Sequence, residues 1–226
     1  LKILVRMDIG KNISEIKNSL PPAVKLVAVT KTHPPEIIMA AYNAGHKIFG
    51  ENKAQELLQK YEQLPKDIEW HFIGHLQTNK AKYITPFVSM IHGIDSFKIL
   101  KAVNKEAKKN DRVVPCLLQF HISQETTKFG LDEEEAAEML NSELFAALKN
   151  VSVEGVMGMA TFTDDLQQVR MEFRRLKAIF NWLKNDYFSN NSAFREVSMG
   201  MSDDFHVAVE EGSTLVRVGS KIFGSR

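Results

Sequence analysis

The feature that most constrains this chain is an alternation: short apolar stretches recur about eight times, each followed by a helical pattern and joined by short links. The stretches are Leu26–Thr30, Lys47–Phe49, Trp70–Ile73, Ser89–Ile94, Cys116–Ile122, Val153–Met159, Glu196–Met199 and Thr214–Val218. Their near-continuous apolar character is that of strands buried on both faces. Parallel strands need a crossover connection, and a helix after each strand supplies one. Eight such units point to an α/β fold, a single-domain (β/α)8 TIM barrel; an open doubly wound sheet is the alternative and usually has fewer strands.

The helical segments carry their own punctuation. Asn12–Leu20 places Ile13, Ile16 and Leu20 on one face and stops at Pro21-Pro22. Pro34 opens a helix that Gly45 closes, Glu51–Tyr61 and Thr78–Tyr83 follow, and Ser96 caps a helix reaching Lys109. Leu131–Leu148 and Ser202–Glu211 are also helical, and the fifth strand is expected to start after Pro115, which cannot donate to a ladder. In Asp164–Asn185, Val169, Phe173, Leu176, Phe180 and Leu183 recur at spacings of four and three, a core stripe rather than a cofactor box. The last helix is stunted at Lys221–Phe223, so the extra N-terminal helix is expected to cover the face left open.

A chain of 226 residues suffices for one large domain or two small ones. No composition break or long linker divides it, so residues 7–226 are expected to form one domain, with residues 1–6 an extension ahead of Met7. A net charge of +1 gives no argument for a nucleic-acid or membrane surface. The basic run Lys98, Lys101, Lys105, Lys108, Lys109 and Arg112 reads as a solvated outer helix face. No apolar run approaches the roughly 18 residues of a membrane span, and no secretory signal is visible. The single cysteine, Cys116, cannot form an internal disulfide and reads as a buried, reduced thiol. A cytoplasmic monomer is the expectation.

In a barrel of this kind the active face is built from the C-terminal ends of the strands. Lys31, Gly50-Glu51-Asn52, Gly74-His75, Met157-Gly158, Ser198-Met199-Gly200 and Arg217-Val218-Gly219-Ser220 fall there. A lysine at the rim of a core is partly desolvated, which lowers its pKa and favours the free amine that attacks a carbonyl. The alternative is a lysine that snorkels into water. Ser198 with Gly200, and Gly219 with Ser220, put small residues with backbone N–H groups after strands seven and eight, where barrels bind phosphate. These glycines would equally serve as tight turns. Arg217 shares the orientation of Gly219 and is expected to face Lys31 across the mouth. A cation there needs a partner: a ring nitrogen, a ligand carboxylate, or Glu51 or another acid of the chain. Asn52 and His75 stand where they would touch a ligand. The seven histidines do not form a metal-ligand pattern, and no nucleophile elbow occurs.

Six segments together resemble the pyridoxal phosphate homeostasis protein family, whose single-domain barrels are similar to the barrel half of alanine racemase. They are Ala28-Val-Thr-Lys-Thr-His33, Phe49-Gly-Glu-Asn-Lys-Ala-Gln-Glu56, Trp70-His-Phe-Ile-Gly-His-Leu-Gln-Thr-Asn-Lys80, Lys128-Phe-Gly-Leu131, Ser198-Met-Gly-Met-Ser-Asp-Asp204 and Val216-Arg-Val-Gly-Ser-Lys-Ile-Phe-Gly224. They span nearly the whole chain after Met7; His33 departs from the family pattern. The resemblance implies that Lys31 holds pyridoxal 5'-phosphate as an aldimine, and that Ser198, Gly200, Gly219 and Ser220 bind its phosphate. Arg217 would face the pyridine nitrogen, Asn52 and His75 would lie beside the ring, and Met157 and Met199 would be apolar walls. It implies a protein of intracellular vitamin B6 homeostasis that buffers the cofactor or delivers it to pyridoxal-phosphate-dependent apoenzymes, with effects on amino-acid and keto-acid balance. An arginine at the ring nitrogen makes a poorer electron sink than an aspartate. With Tyr42, Tyr61, Tyr83 and Tyr187 all on helices away from the mouth, no strong catalytic turnover is expected. A low-activity racemase or decarboxylase is the alternative, and a phosphosugar-binding barrel with a Schiff-base lysine a third.

Overall fold

Each apolar stretch becomes a strand, and the strands pair in parallel in chain order until β8 closes on β1. The computed structural model describes residues 8–124 and 129–224; the expected extension at residues 1–6 and Lys128 of the 128–131 motif lie outside them. The chain runs α1 (Ile9–Ser19), β1 (Lys25–Val29), α2 (Pro35–Asn43), β2 (Ile48–Glu51), α3 (Ala54–Gln63), β3 (Glu69–Phe72) and α4 (Ala81–Ile84). It continues through β4 (Met90–Ile94), α5 (Phe97–Lys108), β5 (Val114–Gln119), α6 (Glu133–Asn141), α7 (Glu143–Ala146) and β6 (Val151–Met157). The last elements are α8 (Leu166–Asp186), β7 (Glu196–Ser198), α9 (Phe205–Glu210), β8 (Leu215–Val218) and α10 (Ser220–Phe223). This is the expected single-domain (β/α)8 barrel.

Strand alternation sorts the side chains into two cores. Leu26, Ala28, Phe49, Trp70, Phe72, Val197, Val216 and Val218 point outward into a large layer shared with the helices. Val27, Met90, Leu117, Met157 and Leu215 point inward and fill the barrel itself. The α8 stripe is buried as its spacing requires, with Val169, Phe173, Leu176 and Leu183 all nearly inaccessible. Cys116 is buried too, and burial pushes its thiol pKa up, away from reactivity.

Several boundaries differ from the sequence reading, and three of them have a clear physical cause or consequence. β2 extends to Glu51, so α3 starts only at Ala54. The 131–148 segment is two helices, because the Ser142 backbone turns extended and its hydroxyl then caps α7. β5 includes Pro115. The Val114 N–H bonds toward β6, so the Pro115 nitrogen faces the β4 side, where pairing begins only at Cys116; the missing donor costs no ladder bond.

The N-terminal helix covers the stunted end, as expected. α1 packs against α10 and α2, and Asn12 Nδ2 donates to the Ile222 carbonyl at 2.9 Å. Ile13 and Ile16 are its buried face, while Asp8 caps it by accepting the Lys11 N–H. Replacing Ile13 with Ala is expected to cost about 2–4 kcal/mol in urea unfolding, the usual loss for a core isoleucine, whereas Glu15→Ala on the solvent face should stay within about 0.5 kcal/mol.

Candidate active site at the barrel mouth

Inward-facing positions at the C-terminal ends of the strands surround a cavity of about 420 Å³. Lys31 reaches it from the turn after β1, Asn52 from the end of β2, Ile73 from the end of β3 and Met159 from the end of β6. Met201, Ser202 and Asp203 line it from the loop after β7, and Arg217, Gly219 and Ser220 from β8 and the start of α10. Val29, His33, Phe162 and Gly224 complete the wall. Lys31 and Arg217 are not opposite one another: β1 and β8 are hydrogen-bonded neighbours with Val27 in register with Arg217, so the two cations share one side of the mouth.

Beneath the cavity the barrel carries a polar chain. Arg217, 4 % exposed, donates to Ser198 Oγ at 2.5 Å and to the Gly158 carbonyl at 3.1 Å. Ser198 Oγ lies 2.9 Å from His92 Nδ1, and His92 Nε2 lies 2.9 Å from His71 Nδ1. A guanidinium only donates, so Ser198 accepts from Arg217 and donates its own O–H to His92 Nδ1. That leaves the His92 proton on Nε2, where it donates to His71 Nδ1. Both rings are neutral: desolvation lowers the pKa of His71 to about 3, and that of His92 well below the ordinary value, with His71 and Arg217 adding to the effect. Burial also lowers the pKa of Arg217 to about 10. No carboxylate among the described residues forms an ion pair with Arg217. The internal pairing with Glu51 therefore falls away: Glu51 ends β2 on its outer face and bonds Lys60 and Thr30 instead.

The loops after β7 and β8 come together, but not through the residue first expected. Ser198 is wholly buried under the cavity, and Ser202 takes the place at its edge, its Oγ accepting the Gly219 N–H at 3.2 Å. Gly200 turns the chain at φ 94°, where a Cβ would stand 2.6 Å from that of Ala208; it shapes the loop without lining the cavity. A Cβ at Gly219 would press on the Val29 carbonyl at 3.2 Å, so this loop lies tight against β1. The opening turn of α10 leaves N–H groups without intrahelical acceptors, beside Ser220 and Ser202.

Two methionines are corrected for depth and direction. Met157 points inward but sits in the barrel core, and Met159, two residues on and on the same face, reaches the cavity. Met199 alternates outward into the helix layer, and Met201 lines the cavity in its stead. His75 lies outside this cavity: it lines a neighbouring one of about 460 Å³, bonded to Asp95 at 2.6 Å and stacked on Phe129 at 4.0 Å. Asn52 is the wall between the two, and its buried Oδ1 has no hydrogen-bond partner. Ser202, Met159 and Met201 were the residues sequence reasoning missed; Met159 was legible as the period-two continuation of the inward Met157, whereas period two from the outward Met199 would have turned Met201 away from the cavity. Among the described residues no cluster of His, Cys, Asp or Glu stands where it could hold a metal ion, and no helix is long and apolar enough to cross a membrane.

The model of the alanine racemase N-terminal domain family matches residues 7–226. The pyridoxal phosphate homeostasis protein of Aquifex aeolicus is 43% identical over 203 residues, covering 89% of this chain and 87% of that protein. Among solved structures, PipY of Synechococcus elongatus superposes with a TM-score of 0.89 at 32% identity without pyridoxal phosphate, covering 96% of this chain and 100% of that one. Its form with pyridoxal phosphate bound gives 0.86 at 31% identity and covers the same shares. The alanine racemase of Bartonella henselae, 16% identical with a TM-score of 0.70, shares the fold; the match covers 96% of this chain and 58% of that enzyme.

The neutral histidines couple the barrel interior to pH. His71 is harder to protonate folded than unfolded, so its contribution to stability is complete above the unfolded pKa of about 6.5 and is lost as pH falls toward the folded value of about 3. His71→Gln keeps an acceptor for His92 and cannot titrate. Urea titrations between pH 6 and 4 should therefore show the wild type losing about 1.4 kcal/mol per pH unit more than this variant.

Proposed function

The chain belongs to the pyridoxal phosphate homeostasis proteins of the alanine racemase N-terminal domain family, and on that premise we propose that it binds pyridoxal 5'-phosphate at the barrel mouth through Lys31. The observation that carries this reading is a convergence on one cavity: Lys31, a buried Arg217 with neutral hydrogen-bond partners, and the Gly219–Ser220 loop. A cavity of about 420 Å³ is of the size that encloses small ligands. The unpartnered Asn52 Oδ1 and the Arg217 guanidinium are the polar groups a bound ring would complement.

Bound there, the cofactor supplies an aldehyde that the Lys31 amine attacks to give a Schiff base, the carbonyl oxygen leaving as water. Gly219, Ser220 and Ser202 hold the phosphate with backbone N–H and hydroxyl groups. Arg217 donates to the ring nitrogen without readily protonating it, and the Ser198–His92–His71 chain keeps it aimed. Asn52 stands beside the ring, and Met159, Met201 and Val29 are the apolar walls. Gly200, Met157 and Met199 support these positions from outside the cavity, and His75 acts on it only through the Asn52 wall.

The function is custody of the cofactor: buffering it, or delivering it to apoenzymes, with consequences for amino-acid and keto-acid balance, in a cytoplasmic monomer without strong turnover. Two features support custody over turnover. Arg217 leaves the ring a weak electron sink. The four tyrosines are all elsewhere: Tyr42 bonds Asp67, Tyr61 stacks on Phe87, Tyr83 lies in α4 and Tyr187 ends α8.

The purified protein should absorb in the visible after addition of pyridoxal phosphate. Borohydride should then fix the label on the Lys31 peptide, and Lys31→Ala should lose it. A label that maps elsewhere, or that survives in Lys31→Ala, overturns the assignment. Deuterium exchange at the α-carbon of added amino acids should be absent at high protein concentration; rapid exchange requiring Lys31 would establish the racemase or decarboxylase reading instead.

A further inference from the structure

Lys31 stands in a turn whose two neighbours are fastened from the far side of the sheet. Thr30 is fully buried with every polar group engaged: its N–H donates to the Gly50 carbonyl at 3.0 Å and its hydroxyl to Glu51 Oε1 at 2.6 Å. Its carbonyl accepts from Lys60 Nζ at 2.8 Å. On the other side of Lys31, the Thr32 N–H donates to Glu56 Oε1 at 2.6 Å. Thr32 has φ 68°, a left-handed conformation that β-branched residues rarely take. Such backbone persists only where its surroundings over-determine it.

Lys60 supplies that over-determination. Its ammonium has three donors, and all are used: Thr30 O at 2.8 Å, Glu51 Oε1 at 2.7 Å and Glu56 Oε1 at 2.7 Å. Its side chain is 6 % exposed, and those of Glu51 and Glu56 are 0 % and 22 % exposed. Burying charges is a poor route to stability, since apolar side chains of similar size often do as well. What an apolar side chain cannot do is hold a backbone carbonyl and, through Glu56, a backbone N–H on either side of one lysine. In sequence the Glu56–Lys60 spacing is that of an ordinary helix-surface pair; β2 running on to Glu51 turns it into a buried clamp.

We propose that Lys60, acting through Glu56 and Glu51, is a positioning residue for Lys31, fixing the turn that aims its amine into the cavity. The inference rests on Lys31 being the point of covalent attachment. It concerns how fast and how favourably the amine reaches the aldehyde carbon, not whether the cavity accepts the phosphate and ring.

The test uses the full chain and two probes that differ at one carbon: pyridoxal 5'-phosphate, which carries the aldehyde, and pyridoxine 5'-phosphate, which carries an alcohol. Lys60→Met and Glu56→Ala are expected to slow formation of the borohydride-reducible Lys31 adduct by about tenfold or more, while pyridoxine 5'-phosphate binds within about twofold of wild type. Glu56→Gln, which keeps an acceptor for Thr32, should recover most of the rate. Equal losses for both probes, or no change in adduct formation, overturn the proposal. If Lys60→Met does not fold, the partly exposed Glu56→Ala and Glu56→Gln pair decides the matter alone. A wild-type protein that forms no adduct at Lys31 refutes the parent reading, and this inference falls with it; slow variants of a normally labelled wild type bear on this inference only.

Discussion

Closure of β8 onto β1 is the constraint on which the site depends. The ladder runs from Lys25 opposite Leu215 to Ala28 opposite Val218, joining the two ends of the described chain. Because both strands alternate in step, Val27 and Val29 share the inner face with Leu215 and Arg217. The turn after β1 and the loop after β8 thus leave the barrel side by side, close enough that a Cβ at Gly219 would crowd the Val29 carbonyl at 3.2 Å. An open sheet would leave β1 and β8 unpaired with each other, and Lys31 would then have no fixed relation to Arg217.

Two buried cations flank that seam and are treated in opposite ways. Lys60, outside the sheet, is met by two carboxylates and a carbonyl, and its donors are saturated. Arg217, inside the barrel, is met by a serine hydroxyl and a carbonyl, with neutral histidines beyond. The first arrangement satisfies the charge within the protein and makes a rigid anchor. The second leaves the charge without an ion-pair contact among the described residues, with only the field of Asp204 acting on it, at the floor of a cavity where an acceptor on a ligand is worth most because water is largely excluded. Desolvation keeps the histidines neutral, which prevents a second positive charge from arising beside the guanidinium. The outer cluster thus holds the turn that carries Lys31, and the inner chain holds Arg217.

The helix layer has a smaller but related part. α1 packs against α10 and α2, and Asn12 ties it to α10 at the Ile222 carbonyl. Since α10 begins directly after Gly219, that contact also braces the Gly219–Ser220 loop.

Much of this was legible in order of occurrence. Near-continuous apolar runs and the helix punctuation identified eight strand-helix units, and the positions of Lys31, Asn52, Arg217, Gly219 and Ser220 at strand ends placed them on one face. What alternation does not contain is depth. It assigns Met157 and Met159 to the same side without saying that one plugs the core and the other meets the cavity, and it leaves Ser198 indistinguishable from a rim residue when it lies beneath the floor. Nor does it reveal Lys60, because an i,i+4 pair on a helix reads as solvent-exposed until the neighbouring strand is known to end in Glu51. The sequence by itself determined the barrel and the face on which Lys31 stands, since both follow from local pattern and position at strand ends. Only the tertiary structure decided which groups meet there, because strand length, loop path and the closure of β8 on β1 are set by long-range packing that no local pattern encodes.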